Sequence, residues 1–296
     1  MSAPEPIQLK SKLCTQSDVE SSWFTFWSNE IKTQPIYHRK IWEFCYIAQA
    51  LYGLGKLKAG NKGIGFGCGQ EPLASLFAKY GVNILVTDLQ ESDAKNLGWV
   101  DTAQHAKNID VLRREDICPN LELLNLIDLD YVDMNCIPAK YDERFDFCWS
   151  ACSLEHLGSI DHGFNFIENS LKTLRPGGVA VHTTEFNLDT HGPTIDHWPA
   201  VLYQKKHIQH FYSELIRKGY HVAELDLSPG NDILDGFIDI PPYGGNNEGY
   251  KPEYNDLASA HLRLSLDGYS MYFNRDYCMQ TKIVQQKGID IESNAI

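Results

Sequence analysis

The chain has 296 residues, 43% hydrophobic and 22% charged, which fits one large or two small globular domains and excludes a disordered, fibrous or coiled-coil chain. Lys and Arg number 26 against 39 Asp and Glu, a net charge of −13. A surface that negative repels phosphate backbones and anionic membranes, so neither nucleic acid nor membrane is expected as a partner; it suits neutral or cationic small molecules. Residues 19–56 read as aromatic-rich helix: Trp23, Trp27 and Ile31, then Ile41, Cys45, Ala48 and Tyr52, recur at helical spacing, and Gly53 and Gly55 end the run. From Lys62 the texture changes to short apolar runs alternating with amphipathic stretches. A first strand at 63–66 enters a glycine cluster, and Glu71-Pro72 opens a helix with the stripe Leu73, Leu76, Phe77 and Tyr80, closed by Gly81. Strands follow at 83–87, 126–132 and 145–149. Asp161 is the expected cap of a helix striped by Phe164, Ile167, Leu171 and Leu174, and a fifth strand covers 179–183. A helix over 205–218, a strand over 220–227, an irregular Pro/Gly-rich segment over 229–252 and β-structure in 261–287 complete the chain.

This alternation predicts a doubly wound α/β fold, whose ligands bind beyond the carboxyl ends of the strands. Asp88, Asp133, Ser150 and Glu185 all fall at or just past such ends. The eight cysteines include no Cys-x-x-Cys pair, and Cys148 and Cys152 are the nearest two; no metal site and no disulfide scaffold is expected. His207 and His210 lie three apart without a third ligand in step, and read as a solvated helix face. The N-terminus lacks the apolar core of a signal peptide and no run of about 18 apolar residues occurs, so a cytoplasmic protein is expected.

The cluster Gly63-Ile64-Gly65-Phe66-Gly67-Cys68-Gly69-Gln70-Glu71 fails the dinucleotide pattern Gly-x-Gly-x-x-Gly in every register, the third glycine being Cys68, Gln70 or Pro72. A pyrophosphate would rest on the helix N-terminus, where Glu71 places a negative charge. The expected ligand is therefore adenosine-like and cationic. Asp88, 19 residues past Gly69, would accept from both ribose hydroxyls, and Asp133 from an adenine amino group; the alternative for both is that they cap turns.

Gly65-Phe66-Gly67-Cys68-Gly69, Asp88, Asp133-Met134, Phe145–Ser150, Ser153-Leu154-Glu155-His156 and Leu174-Arg175-Pro176-Gly177-Gly178 resemble the ordered motifs of class I S-adenosylmethionine-dependent methyltransferases over about residues 60–185. The resemblance implies a mostly parallel seven-stranded sheet with an antiparallel last strand. It implies S-adenosylmethionine as cofactor, its methionine part against Gly65, Gly67 and Gly69, its ribose on Asp88, its adenine framed by Asp133 and Met134, and Ser150 nearby. An acid usual at position 65 and a third glycine usual at position 71 are missing. Glu71 either supplies the acid for the cofactor's amino group from the other side of the loop or is a simple first-turn acid.

Residues 1–58 are expected to form a helical cap on a domain spanning 59–296, with substrate-side segments near 186–205 and 229–260. For a hydroxyl acceptor, His156 and Glu185 are the candidate general bases; the alternative for His156 is a structural role at the helix start. His38-Arg39-Lys40 would grip an acidic substrate group or be surface charge. A loose likeness to methyltransferase-like proteins of bacterial polysaccharide clusters suggests a sugar or glycan precursor as acceptor. Asp239-Ile240-Pro241-Pro242-Tyr243 is similar to the Asp/Asn-Pro-Pro-Tyr signature of DNA adenine methyltransferases, but Ile240 interrupts it and it does not follow the fourth strand. The alternative function is a binding or regulatory module that keeps the fold without the chemistry.

Overall fold

The computed structural model describes residues 4–100, 104–188, 194–197, 200–232, 235 and 267–271. Its elements, in chain order, are β1 (Ser11–Lys12), α1 (Gln16–Val19), α2 (Ser22–Glu30), α3 (Arg39–Gly53), β2 (Lys62–Gly65), α4 (Leu73–Lys79), β3 (Asn83–Asp88), α5 (Glu91–Asn96), α6 (Leu121–Leu124), β4 (Ile127–Tyr131), β5 (Phe145–Ala151), α7 (Ile160–Lys172), β6 (Leu174–Asn187), β7 (Tyr203–Gln204), α8 (Lys205–Arg217), β8 (Leu225–Asp226) and β9 (Asp267–Met271). Seven of the described strands form one sheet in the order β4-β3-β2-β5-β6, with β7 and β9 both paired to β6. All pairings are parallel except that of β9. The doubly wound sheet with an antiparallel last strand is therefore present, and helices cover both faces. The strand order reverses between β2 and β5, which opens the ligand crevice of such a sheet at their carboxyl ends.

Alternation along the strands feeds two apolar cores. Ile84, Val86, Phe147, Trp149 and Val181 point to one face and pack against α2, α3 and α4. Ile64, Phe66, Phe145, Cys148 and Ala180 point to the other, against α7 and α8. Helix α3 is buried along nearly its whole length, so the N-terminal helices share a continuous core with the sheet. Trp27 Nε1 on α2 donates to Gln49 Oε1 on α3 at 2.8 Å, satisfying two polar groups inside that core.

Four expectations need correction. The strand expected over 220–227 shrinks to β8 and joins β1 in a separate two-stranded sheet, because β9 occupies the edge of β6 opposite β5 and β7 extends the β5 side. The strand expected at 179–183 extends to Leu174–Asn187. Helix α7 is capped by Ser159, whose Oγ accepts from His162 N at 3.1 Å, with Asp161 a first-turn acid. His207 serves the N-terminus of α8, its Nδ1 accepting from Gln204 N at 3.1 Å. Most of the 229–260 segment, Asp239–Tyr243 included, and the tail outside β9 lie beyond the described residues. None of the described cysteines forms a disulfide, and no described helix is long and apolar enough to cross a membrane.

Phe77 of α4 packs edge-on against Phe147 and Trp149 of β5, with ring centroids 5.6 and 5.2 Å away. Phe77→Ala is expected to lower the unfolding free energy by about 3–5 kcal/mol in urea denaturation, the cost of a large cavity in a close-packed core.

Candidate active site

The glycine loop leaves β2 and passes between the ends of β3 and β5. Its backbone is held by Phe66 N donating to Trp149 O (2.9 Å), Cys68 N to Thr87 O (3.2 Å) and Ser153 Oγ to Gly67 O (3.0 Å). Gly69 has φ +53, and a Cβ there would collide with Gln104 O, so both conformation and space require glycine. At Gly65 a Cβ would collide with Cys68 Sγ and the Trp149 indole. This explains the missing acid: Trp149 fills the room that a side chain at 65 would need. Trp149 Nε1 donates to Glu71 Oε1, so the neighbouring carboxylate lies buried across the loop instead.

Burial raises the Glu71 pKa from 4.5 to about 7, against hydrogen bonds from Trp149 and Cys68 and the charge of Lys40, which lower it. Asp88 is buried at the end of β3. Its Oδ1 accepts from Leu89 N and its Oδ2 from Ala106 N, both at 2.8 Å. Burial nonetheless leaves its pKa raised. Asp133 is exposed and caps a turn, its Oδ1 accepting from Asn135 N at 2.8 Å. Met134 is buried, and its Sδ lies 3.0 Å from where a Cβ on Gly67 would stand. Ser150 is turned away into the core: its Oγ bonds His182 Nδ1 at 2.9 Å, and His182 Nε2 meets Ser170 Oγ at 3.1 Å. Burial drives the His182 pKa down to about 3, so this imidazole is a neutral packing group.

Beside the loop, the N-terminus of α3 lies over the ends of β5 and β6. Arg39 Nη1 pairs with Glu185 Oε1. Lys40 Nζ contacts Glu43 Oε2 at 3.2 Å and donates to Ala151 O at 3.4 Å. Glu43, fully buried, accepts from Thr183 Oγ1 at 2.8 Å and from Cys152 Sγ at 3.2 Å. Glu155 accepts from Thr184 Oγ1 at 3.0 Å through Oε2. His156, half-buried, meets the Trp99 ring edge-to-face at 4.6 Å.

The structure thus brings Gly65, Gly67, Gly69, Glu71, Asp88 and Met134 around one loop, and Glu185 and His156 around the adjoining strand ends. Arg39 and Lys40 grip the protein's own acids. Glu43 and Glu155 are residues that sequence reasoning missed as parts of the site. Glu43 had a signal: it is the one acid in α3.

The family model described as "Methyltransferase domain" matches residues 40–220. The chain belongs to this methyltransferase family. Solved structures with a similar fold include a candidate sarcosine dimethylglycine methyltransferase from Galdieria sulphuraria, at 22% identity over 60% of this chain and 54% of that one, TM-score 0.36. The glycopeptide N-methyltransferase MtfA complexed with sinefungin is similar at 14% identity, 59% and 81% coverage and TM-score 0.39. The [4+2]-cyclase SpnF is similar at 16% identity, 70% and 74% coverage and TM-score 0.39. The match to the Galdieria protein spans about half of that protein's length. A search of curated proteins finds no match. The methyltransferase match begins inside α3, the helix whose first turns carry Arg39, Lys40 and Glu43.

Glu71 makes stability depend on pH in a defined direction. Between 4.5 and about 7 the folded state retains a proton that the unfolded state has lost, so stability falls as pH rises through that window. Relative to wild type, Glu71→Gln is expected to become more stable by up to about 3 kcal/mol on going from pH 4.5 to 7, measured by urea denaturation across pH. Parallel pH profiles for the two proteins would contradict this.

Proposed function

We propose that this methyltransferase-family chain uses S-adenosylmethionine to methylate a hydroxyl of a small polar acceptor, a sugar or glycan precursor. The observation that carries the reading is the meeting, at the strand-order reversal, of an acid-flanked glycine loop with a buried polar cluster on the adjoining strand ends. The side chains bordering the loop suit a cationic nucleoside and oppose a pyrophosphate: Glu71 and Asp88 are acids, and Met134, Cys68 and Ser153 are uncharged. Gly65, Gly67, Gly69 and Glu71 would hold the methionine part, Asp88 the ribose, and Asp133 with Met134 the adenine. Ser150 would contribute through its backbone, its hydroxyl being committed to His182.

When bound, the cofactor supplies an activated methyl group, and the protein's remaining work is alignment and proton removal. Helix α3 and the ends of β5 and β6 wall the acceptor side. His156 stands at the rim as the base for an acceptor hydroxyl, with its ring set by Trp99. Glu185, the second candidate base, is ion-paired to Arg39, which fixes its carboxylate on that wall. Residues 1–58 would form the acceptor-side cap.

Calorimetric titration with S-adenosylhomocysteine tests the cofactor half. Micromolar binding to wild type and none of NAD is expected, with a loss of roughly tenfold or more in Asp88→Ala and in Glu71→Gln. Folded wild type that does not bind would refute the reading and favour the binding-module alternative.

A further inference from the structure

Among the described residues, the buried acids near the ends of β5 and β6 outnumber the basic side chains ion-paired to them. Glu43, Glu71, Glu155 and Glu185 are all buried, while Arg39 answers Glu185 and Lys40 answers Glu43. Within this cluster, Cys152 Sγ and one carboxylate oxygen each of Glu155 and Glu185 lie within 4.8 Å of one another. A separate observation points to a ligand. Glu155 is 1% exposed, and its Oε1 has no hydrogen-bond partner among the described residues. A buried polar atom left in that state costs about 1–3 kcal/mol, more for a charged one, unless something electropositive meets it.

We propose that Cys152, Glu155 and Glu185 form a site for a divalent cation of the zinc class. The sulfur decides the class: Mg²⁺ and Ca²⁺ take oxygen ligands, whereas zinc and its divalent neighbours accept mixed thiolate and carboxylate sets. Three side chains leave a fourth position for an exchangeable ligand, the pattern of an open rather than a closed zinc site. The surroundings suit the task. Arg39 contacts Glu185 through Oε1, which orients the carboxylate and sets its second oxygen, and Thr184 does the same for Glu155. Cys152 Sγ donates to Glu43 Oε1, so the thiol proton has an acceptor when the thiolate binds the metal. An organic ammonium group would match the acid excess equally well, but it would give the sulfur no part.

One consequence rests on the acceptor reading above: a hydroxyl in the fourth position would be polarised and acidified by the metal, beside the predicted base His156. Cys152 and Glu155 are three residues apart in the loop after β5, and Glu185 comes from β6. The ligand set therefore exists only once those two strands are paired.

The test uses the chelator-treated full chain titrated with Co²⁺, followed by displacement with Zn²⁺. One equivalent of cobalt with a thiolate-to-metal absorption band is expected, abolished by Zn²⁺ and absent in Cys152→Ser. Affinity should fall roughly tenfold or more in Glu155→Gln, which decides the matter should the serine variant fail to fold. Cobalt binding without a thiolate band, binding unchanged in both variants, or no binding at all would overturn the site. S-adenosylhomocysteine titration of the same samples separates the two proposals. Cofactor binding without cobalt binding sinks the metal site alone, and cobalt binding without cofactor binding sinks the methyltransferase reading alone.

Discussion

The contact of Arg39 and Glu43 with the ends of β5 and β6 is the constraint on which the rest of the site depends. A helix from the N-terminal cap region brings a guanidinium to Glu185 and a carboxylate to Thr183 and Cys152, with both carboxylates buried. Removing one partner of a buried charge pair leaves the other uncompensated, at a cost of about 3–5 kcal/mol. The pairing therefore ties α3 to the sheet at one register, and it forms one wall of the space beside the glycine loop. The apolar body of α3 makes the tie rigid, since Trp42, Tyr46 and Leu51 pack in the same core as Phe77 and Trp149.

A second constraint runs through Trp149. Its indole lies against Gly65, excludes a side chain there, and donates to Glu71. One aromatic side chain thus accounts for both departures from the family pattern: no acid at 65, and an acid in place of the usual glycine at 71. The two changes are one packing solution, and they leave a carboxylate on the loop with a pKa raised by its burial. A cation beside this loop would favour the charged form of Glu71, so the crevice favours cationic ligands over phosphates.

Much of the fold was legible because its signals are local. Glycine clusters, short apolar strands and amphipathic helices mark themselves by spacing, and β3, β5, α4 and α8 lie within a few residues of their expected positions. The glycine loop, Asp88 and Met134 were legible for the same reason. What escaped depends on partners far apart in sequence. Ser150 alternates like a site residue but meets His182 across β6. Arg39 and Lys40 look like surface charge until Glu185 and Glu43 are placed beside them. The strand expected at 220–227 failed because the two sides of the β6 end are taken by β9 and β7, short segments whose pairing no local pattern declares. Cys152 was weighed against Cys148, its neighbour in sequence, whereas the residues that gather around it are Glu43, Glu155 and Glu185.

The central claim is that a cofactor binds on the glycine loop between β2, β3 and β5, beside the wall made by α3. Hydrogen–deuterium exchange of the full chain with and without S-adenosylhomocysteine measures this directly, because it reports the location of the bound molecule residue by residue. The expected result is slowed exchange in the peptides spanning 65–71, 88–89 and 133–136, with α8 unchanged. Unchanged exchange in those peptides under saturating ligand, or protection confined to another surface, would contradict the claim.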